Sequence, residues 1–138
     1  MSNGDCIFCQ IAAGDAPANK IYEDDQVVAV LDINPVNPGH TLIIPKEHSV
    51  NILDAKDSTL MAMIAATKTV AKAVLAAFDE YDAFNLESNN GRIAGQIIPH
   101  THWHIVPRKA DDGFKHWPGK PYEEGQAEEI ADKIKSQI

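Results

Sequence analysis

Cysteine is nearly absent: the 138 residues hold two. Two cannot make the disulfide framework of a small secreted scaffold, so stability must come from a packed core. Basic residues are outnumbered. Twelve Lys and Arg face 20 Asp and Glu, a formal net charge of −8. A general nucleic-acid binder needs a basic stripe, so a nucleic-acid polymer is not an expected partner. No apolar run approaches the roughly 20 residues that cross a bilayer, and no membrane partner is expected. The first residues lack the basic and apolar regions of a secretory signal, and a cytoplasmic location is the expectation that remains. Internal repeats and linkers are missing too. The length and the 44% apolar, 23% charged composition suit one domain over residues 1–138, with a C-terminal extension from about 109.

Histidine is what the chain does have, and half of it is concentrated. His100, His102 and His104 occupy alternate positions within residues 95–107. In a strand, alternate side chains share a face, so the three imidazoles would line one side, and Thr101, Trp103 and Ile105 would pack on the other. Scattering six histidines at random gives this pattern about once in a hundred such chains, so coincidence explains it poorly. Imidazole can act near neutral pH as nucleophile, general acid or base, or metal ligand. The pattern points to metal binding or to transfer of an anionic group. A surface strand with a histidine-rich polar face is the plain alternative.

In chain order, Cys6 and Cys9 have the spacing of half a zinc site, a redox pair, or two ordinary buried cysteines. His48 and His100 are candidates to complete a metal set. Residues 10–14 read as a short helix stopped by Gly14. Residues 21–23 and 27–31 read as strands, and Asp32 as a turn or cap residue before a Pro-rich loop over 34–39. Residues 40–45 read as a strand with His40 at its mouth. The periodicity predicts a long helix over 57–78, capped by Asp57 or Ser58. Leu60, Ile64, Ala71, Val74, Leu75 and Phe78 make its core face, and Met61 and Met63 act as packing residues. Residues 83–87 form a strand and 88–96 a loop. The triad strand runs on to Pro107. Phe114, Trp117 and Tyr122 suggest a loop packed by its aromatics, and residues 123–138 an amphipathic helix with Ile130 and Ile134 on one face. The order predicts an α+β fold with a mainly antiparallel sheet.

The stretch His100-Thr101-His102-Trp103-His104-Ile105-Val106 resembles the motif of the histidine triad (HIT) family. So do Asp32-Ile33-Asn34-Pro35, residues 39–48, Asn89-Asn90-Gly91 and Gly95-Gln96, in order and spacing, across residues 5–108. The resemblance implies a HIT-like fold: a five-stranded antiparallel sheet, a long helix and a C-terminal helix, assembled as a homodimer with a shared sheet. It implies that His102 is the nucleophile, with His104 and His40 donating to phosphate oxygens and His100 orienting the site. Asp32, Ile33, Asn89 and Gln96 fall at the nucleotide, Asp32 on the ribose hydroxyls and Gln96 near the phosphate. A structural zinc on Cys6, Cys9, His48 and His100 is implied, and no catalytic cofactor. The implied reaction is hydrolysis or transfer at the α-phosphate of purine nucleoside phosphoramidates, through a nucleotidyl-histidine, with AMP as product. Diadenosine polyphosphate hydrolysis, a nucleotide-binding interaction module and a zinc-stabilised structural protein are the alternatives. Ile97 departs from the family's Ser or Thr, which removes a hydroxyl from the leaving-group side. Thr101 and Trp103 are bulkier than usual and should affect packing only.

Overall fold

The computed structural model describes residues 3–115 and 119–138; the expectation for Trp117 lies outside them. A short 3₁₀ turn, Asn3–Asp5, leads into helix α1 (Ile7–Ala13). Strands β1 (Lys20–Glu23), β2 (Val27–Leu31) and β3 (Thr41–Pro45) follow, then helix α2 (Asp57–Ala77), strand β4 (Ala83–Ser88), a 3₁₀ turn (Arg92–Ala94), strand β5 (Trp103–Arg108) and helix α3 (Gln126–Lys135). The strands form one sheet in the order β1-β2-β3-β5-β4, every pair antiparallel. The α+β class and the five strands expected from sequence are therefore observed.

Both faces of the central strands are covered, and the strand period decides which residue meets which helix. Val27, Ala29, Ile43, Trp103 and Ile105 meet Met63, Ala66, Val70, Ala71 and Val74 of α2. Val28, Val30, Leu42 and Ile44 meet Cys6, Phe8, Cys9 and Ile11 on the opposite face. Each such aliphatic side chain, fully buried, contributes about 1.5–3 kcal/mol. The helix α1 stops at Gly14, which adopts φ 83° and returns its N–H to the last carbonyls, a conformation glycine takes without strain. Over β4 and β5 the face opposite α2 stays open, and there the site lies.

Several expectations need correction. In length and apolar content α2 would pass for a membrane span, against the reading that no run comes close. One of its faces is core against the sheet, which explains the composition. Its N-cap is Lys56, with no side-chain cap bond, and Asp57 sits inside the first turn. Met61 and Ile64 are 68% and 50% exposed rather than packed. Met63, Ala71 and Val74 are buried as expected, and the stripe they belong to also takes in Thr59, Ala66, Thr67 and Val70. Tyr122 is exposed, and Phe114 is half-exposed with its ring against the Arg108 guanidinium at 5.3 Å, so of these two only Phe114 packs. The helix α3 is shorter than expected, and none of its residues is buried. The triad is not one strand: β5 begins at Trp103. Pro99 has no N–H for a ladder, and the His100 amide turns back onto the Ile98 carbonyl at 2.8 Å.

Candidate active site

The bend at residues 98–100 separates the three histidines. His100 turns toward His48, ring centroids 4.9 Å apart, while Phe8 packs its edge against both His100 and His102, at 5.9 and 4.9 Å. Fully buried, His100 donates from Nε2 to the Pro45 carbonyl at 2.8 Å. That bond leaves Nδ1 with a lone pair. Around Nδ1 stand Sγ of Cys6 at 3.2 Å, Sγ of Cys9 at 3.4 Å and Nδ1 of His48 at 3.0 Å. All four atoms lie within 4.8 Å of one another. A tetrahedral zinc would separate sulfur from nitrogen by about 3.5 Å and nitrogen from nitrogen by about 3.3 Å. The four side chains thus fit a Cys₂His₂ zinc site with small adjustments. Burial holds the His100 ring down to a pKa of about 4, and burial together with the neighbouring Cys6 thiol pushes the Cys9 thiol up to about 11. Metal-free, His100 is a neutral ligand and Cys9 a neutral thiol. A metal would displace the thiol proton.

His102 stays at the sheet. Its Nδ1 donates to the His100 carbonyl at 2.7 Å, so Nε2 carries the free lone pair. The edge of Phe8 covers it at 4.9 Å. Burial lowers its pKa against the opposing pull of the His100 carbonyl, so the ring is neutral at pH 7. A neutral imidazole with a fixed tautomer and a bare Nε2 is the nucleophile form.

His104 is centred 5.2 Å from His102 and hydrogen-bonded to His40, Nδ1 to Nε2, at 2.9 Å. The direction of that bond follows from a third group. The Val36 amide donates to Nδ1 of His40 at 3.0 Å. An Nδ1 that accepts has no proton, so His40 carries its proton on Nε2 and donates it to His104. His104 then holds its own proton on Nε2. The Asp32 carboxylate lies 3.5 Å from the His40 nitrogen and 3.8 Å from that of His104. Asp32, His40 and His104 also group closely enough to suggest a second metal seat. The Val36 bond argues against it, because His40 would have to be an anion to give Nε2 to a metal while accepting at Nδ1. Burial lowers the pKa of both rings; Asp32 and Glu87 pull the other way.

The remaining predicted residues divide. Asp32 is in the site, one oxygen capping the Asn34 amide at 2.8 Å. Beside it Ile33 is 88% exposed, free to meet a ligand. Asn89 is half-buried, its side chain close over Gly95. Gln96 needs correction. Its amide oxygen accepts from the Gly91 amide at 2.8 Å, and its nitrogen donates to the Val50 and Ile98 carbonyls at 2.6 and 3.0 Å. With every donor spent inside, it braces the loop and has none left for phosphate. His40 is corrected likewise: its proton goes to His104 and not to a substrate oxygen. A cavity of about 530 Å³ opens beside this pair, walled by Val36, His40, Glu87, His104, Arg108 and Lys115 among others, within the range of small-molecule sites.

Phe8, Glu87, the Val36 amide and the Arg108–Asp112 pair escaped the sequence reading. Phe8 lies inside the Cys-x-x-Cys turn, whose spacing signals only its cysteines. Glu87 could have been found from register: it pairs directly with His104 across β4 and β5, and opposed residues share a face.

The HIT domain family matches residues 13–111. Over 108 residues the chain is 45% identical to the adenylylsulfatase HINT3 of Arabidopsis thaliana, which covers 78% of this chain but only 54% of that protein. The chain therefore spans about half the length of that relative. It is 38% identical over 136 residues to the adenosine 5'-monophosphoramidase hnt1 of Schizosaccharomyces pombe, covering 94% of this chain and 98% of the other. The fold superposes on the crystal structure of a zinc-bound histidine triad family protein from Mycobacterium smegmatis with a TM-score of 0.78, 34% identity, and 99% and 100% of the two chains covered.

Proposed function

This chain belongs to the HIT domain family, and on that premise we propose that it hydrolyses purine nucleoside phosphoramidates, or transfers from them, at the α-phosphate. One observation carries the reading: the 2.7 Å bond from His102 Nδ1 to the His100 carbonyl, which leaves Nε2 neutral and bare. The similarity to an adenosine 5'-monophosphoramidase supports the substrate class.

In the reaction, Nε2 of His102 attacks phosphorus and the P–N bond of the substrate breaks. The departing amine takes a proton from the His40–His104 pair in its protonated form. Burial makes that proton easy to release, while Asp32 and Glu87 stabilise the charge. The N–H on Nε2 of His104 is the donor left to meet a phosphate oxygen. Water then attacks phosphorus, the P–Nε2 bond breaks, AMP leaves, and a water proton returns to the pair. Asp32 and Ile33 meet the nucleoside, with Asn89 beside them.

Cys6, Cys9, His48 and His100 would hold a structural zinc, which would fix the turn that presents the His100 carbonyl. A reducing, cytoplasmic setting suits two free thiols. We place a homodimer contact at β4, an edge strand with Phe84 and Leu86 half-exposed beside Ile64 of α2. A monomer mass in sedimentation would remove that contact.

The test is AMP release from an adenosine phosphoramidate and from a diadenosine polyphosphate, with native protein and His102→Ala side by side. Release that depends on His102, faster from the phosphoramidate, is expected. Faster release from the polyphosphate would change the substrate class. Binding of AMP without release from either would leave an interaction module.

A further inference from the structure

We infer that Asn37 is a positioning residue: its side chain holds the loop that fixes which nitrogens of His40 and His104 carry protons. The geometry stands by itself; its consequence for turnover rests on the proposed hydrolase reading.

The loop over residues 34–39 carries no regular structure, yet it must deliver the Val36 amide to His40 within hydrogen-bond range. Its two ends are tied by the Asp32 amide on the His40 carbonyl at 2.9 Å, by the His40 amide on the Asn37 carbonyl at 3.0 Å and by the Tyr81 hydroxyl on the Pro38 carbonyl, but none of these bonds reaches β5. Asn37 seats the loop there. Its side chain is buried, and its two N–H groups donate to the Pro107 carbonyl at 2.9 Å and to Oδ2 of Asp112 at 3.1 Å. The first partner is in β5, three residues from His104. The second is held hard: Arg108 grips Asp112 through Nε at 2.6 Å and a second nitrogen at 2.9 Å, and Asn85 anchors Arg108 from β4 at 2.7 Å. A paired fork of this kind has little freedom to shift. Gly39 completes the seat. A Cβ there would stand 3.3 Å from the Phe78 ring and 3.4 Å from Val74, so the chain runs close over the end of α2.

The result is a line of directed hydrogen bonds. Asn37 places Val36; the Val36 amide takes Nδ1 of His40; His40 Nε2–H takes Nδ1 of His104; His104 is left with its proton on Nε2. Without the first link the His40 ring can hold its proton on either nitrogen, and the Nδ1–H form turns the His40–His104 bond around or breaks it. Asn37 touches no reacting atom, so its part is one of position.

The test reads ring nitrogens by NMR in ¹⁵N-labelled protein at pH 8, with signals assigned by substituting His40 and His104 singly. In native protein both rings should carry the proton on Nε2. In Asn37→Ala, His40 and His104 should show mixtures of the two tautomers. Asn51→Ala, which removes only a local bond to the Leu53 amide, should leave them fixed. Where Asn37→Ala does not fold, Asn37→Asp, equal in size but without the N–H donors, takes its place with the same expectation. A native His40 protonated on Nδ1 would overturn the inference, as would unchanged tautomers in a folded Asn37 variant. If the hydrolase reading holds, the variant should also lose about tenfold in kcat with KM unchanged, a barrier increase of about 1.4 kcal/mol. Absence of AMP release from the native protein would defeat that reading while the tautomer result stood.

Discussion

Nδ1 of His48 faces Nδ1 of His100 across 3.0 Å, with the sulfurs of Cys6 and Cys9 3.2–3.4 Å from the latter. Two ring nitrogens that close, one of them already stripped of its proton by the Pro45 bond, are either joined by one proton or bridged by a cation. Purified native protein should carry one zinc per chain by elemental analysis. Cys6→Ser and His48→Ala should carry much less. Free zinc at a hundred times its dissociation constant should stabilise the native chain by about 2.7 kcal/mol, or roughly 10 °C in Tm. A chelator should reverse the gain. Cys6→Ser with a full equivalent of zinc would remove Cys6 from the ligands.

Acid should unfold the metal-free protein early, and the sign follows from burial. His40, His100, His102 and His104 all have folded pKa values below 6.5, with burial the largest cause, and His100 is lowest at about 4. Well above pH 6.5 folded and unfolded chains both hold these rings neutral, and the stability is fully present. As pH falls through 6.5 the unfolded chain takes up protons that the folded chain refuses, so stability drops. The drop from His100 continues to about pH 4 and reaches about 3 kcal/mol. Urea midpoints measured with a chelator at pH 7.5, 6.5, 5.5 and 4.5 should fall a little between the first two, where the unfolded rings become half protonated, and more steeply below. A midpoint that holds steady down to pH 4.5 would mean these rings are not shielded.

The sequence made the sheet legible because its strands are short apolar runs broken by Asp, Pro and Gly, and β2 is read to the residue. It made α2 legible as a helix but only part of its face: Met63, Ala71 and Val74 are buried as read. Alanine and threonine form much of the true contact, and exposed Ile64 imitates a core position. The site was legible as a set of residues. What could not be read was direction. Alternation places the three histidines on the side that Phe8 covers, but the bend after Pro99 sends His100 to Cys6, Cys9 and His48, away from the pair of His102 and His104. A hydrogen bond from a backbone amide, such as that of Val36 to His40, leaves no mark in residue type. Neither does the tautomer it sets.

Gln96 gives the sharpest separation between position in a motif and role in the structure. By motif it belongs beside the phosphate. In the fold it is 6% exposed, with three internal bonds tying the turn at Gly91 to the chain at Val50 and at Ile98. Those ties hold the loop that enters the His100 bend. Gln96→Ala leaves the Gly91 amide and the Val50 carbonyl without partners, at about 1–3 kcal/mol for each group that water cannot reach, while the Ile98 carbonyl keeps the His100 amide. Gln96→Glu keeps the shape and the Gly91 bond but puts a carboxylate oxygen against two carbonyls, and should be the less stable of the two. A phosphate ligand would behave otherwise. Its loss to Ala would lower kcat and leave the urea midpoint where it was, and Glu would harm turnover by repelling phosphate without harming the fold. Measured together, midpoint and kcat distinguish the cases. The structure predicts a lower midpoint in both variants, lowest in Gln96→Glu, with turnover falling alongside. An unchanged midpoint with lost turnover would return Gln96 to the phosphate.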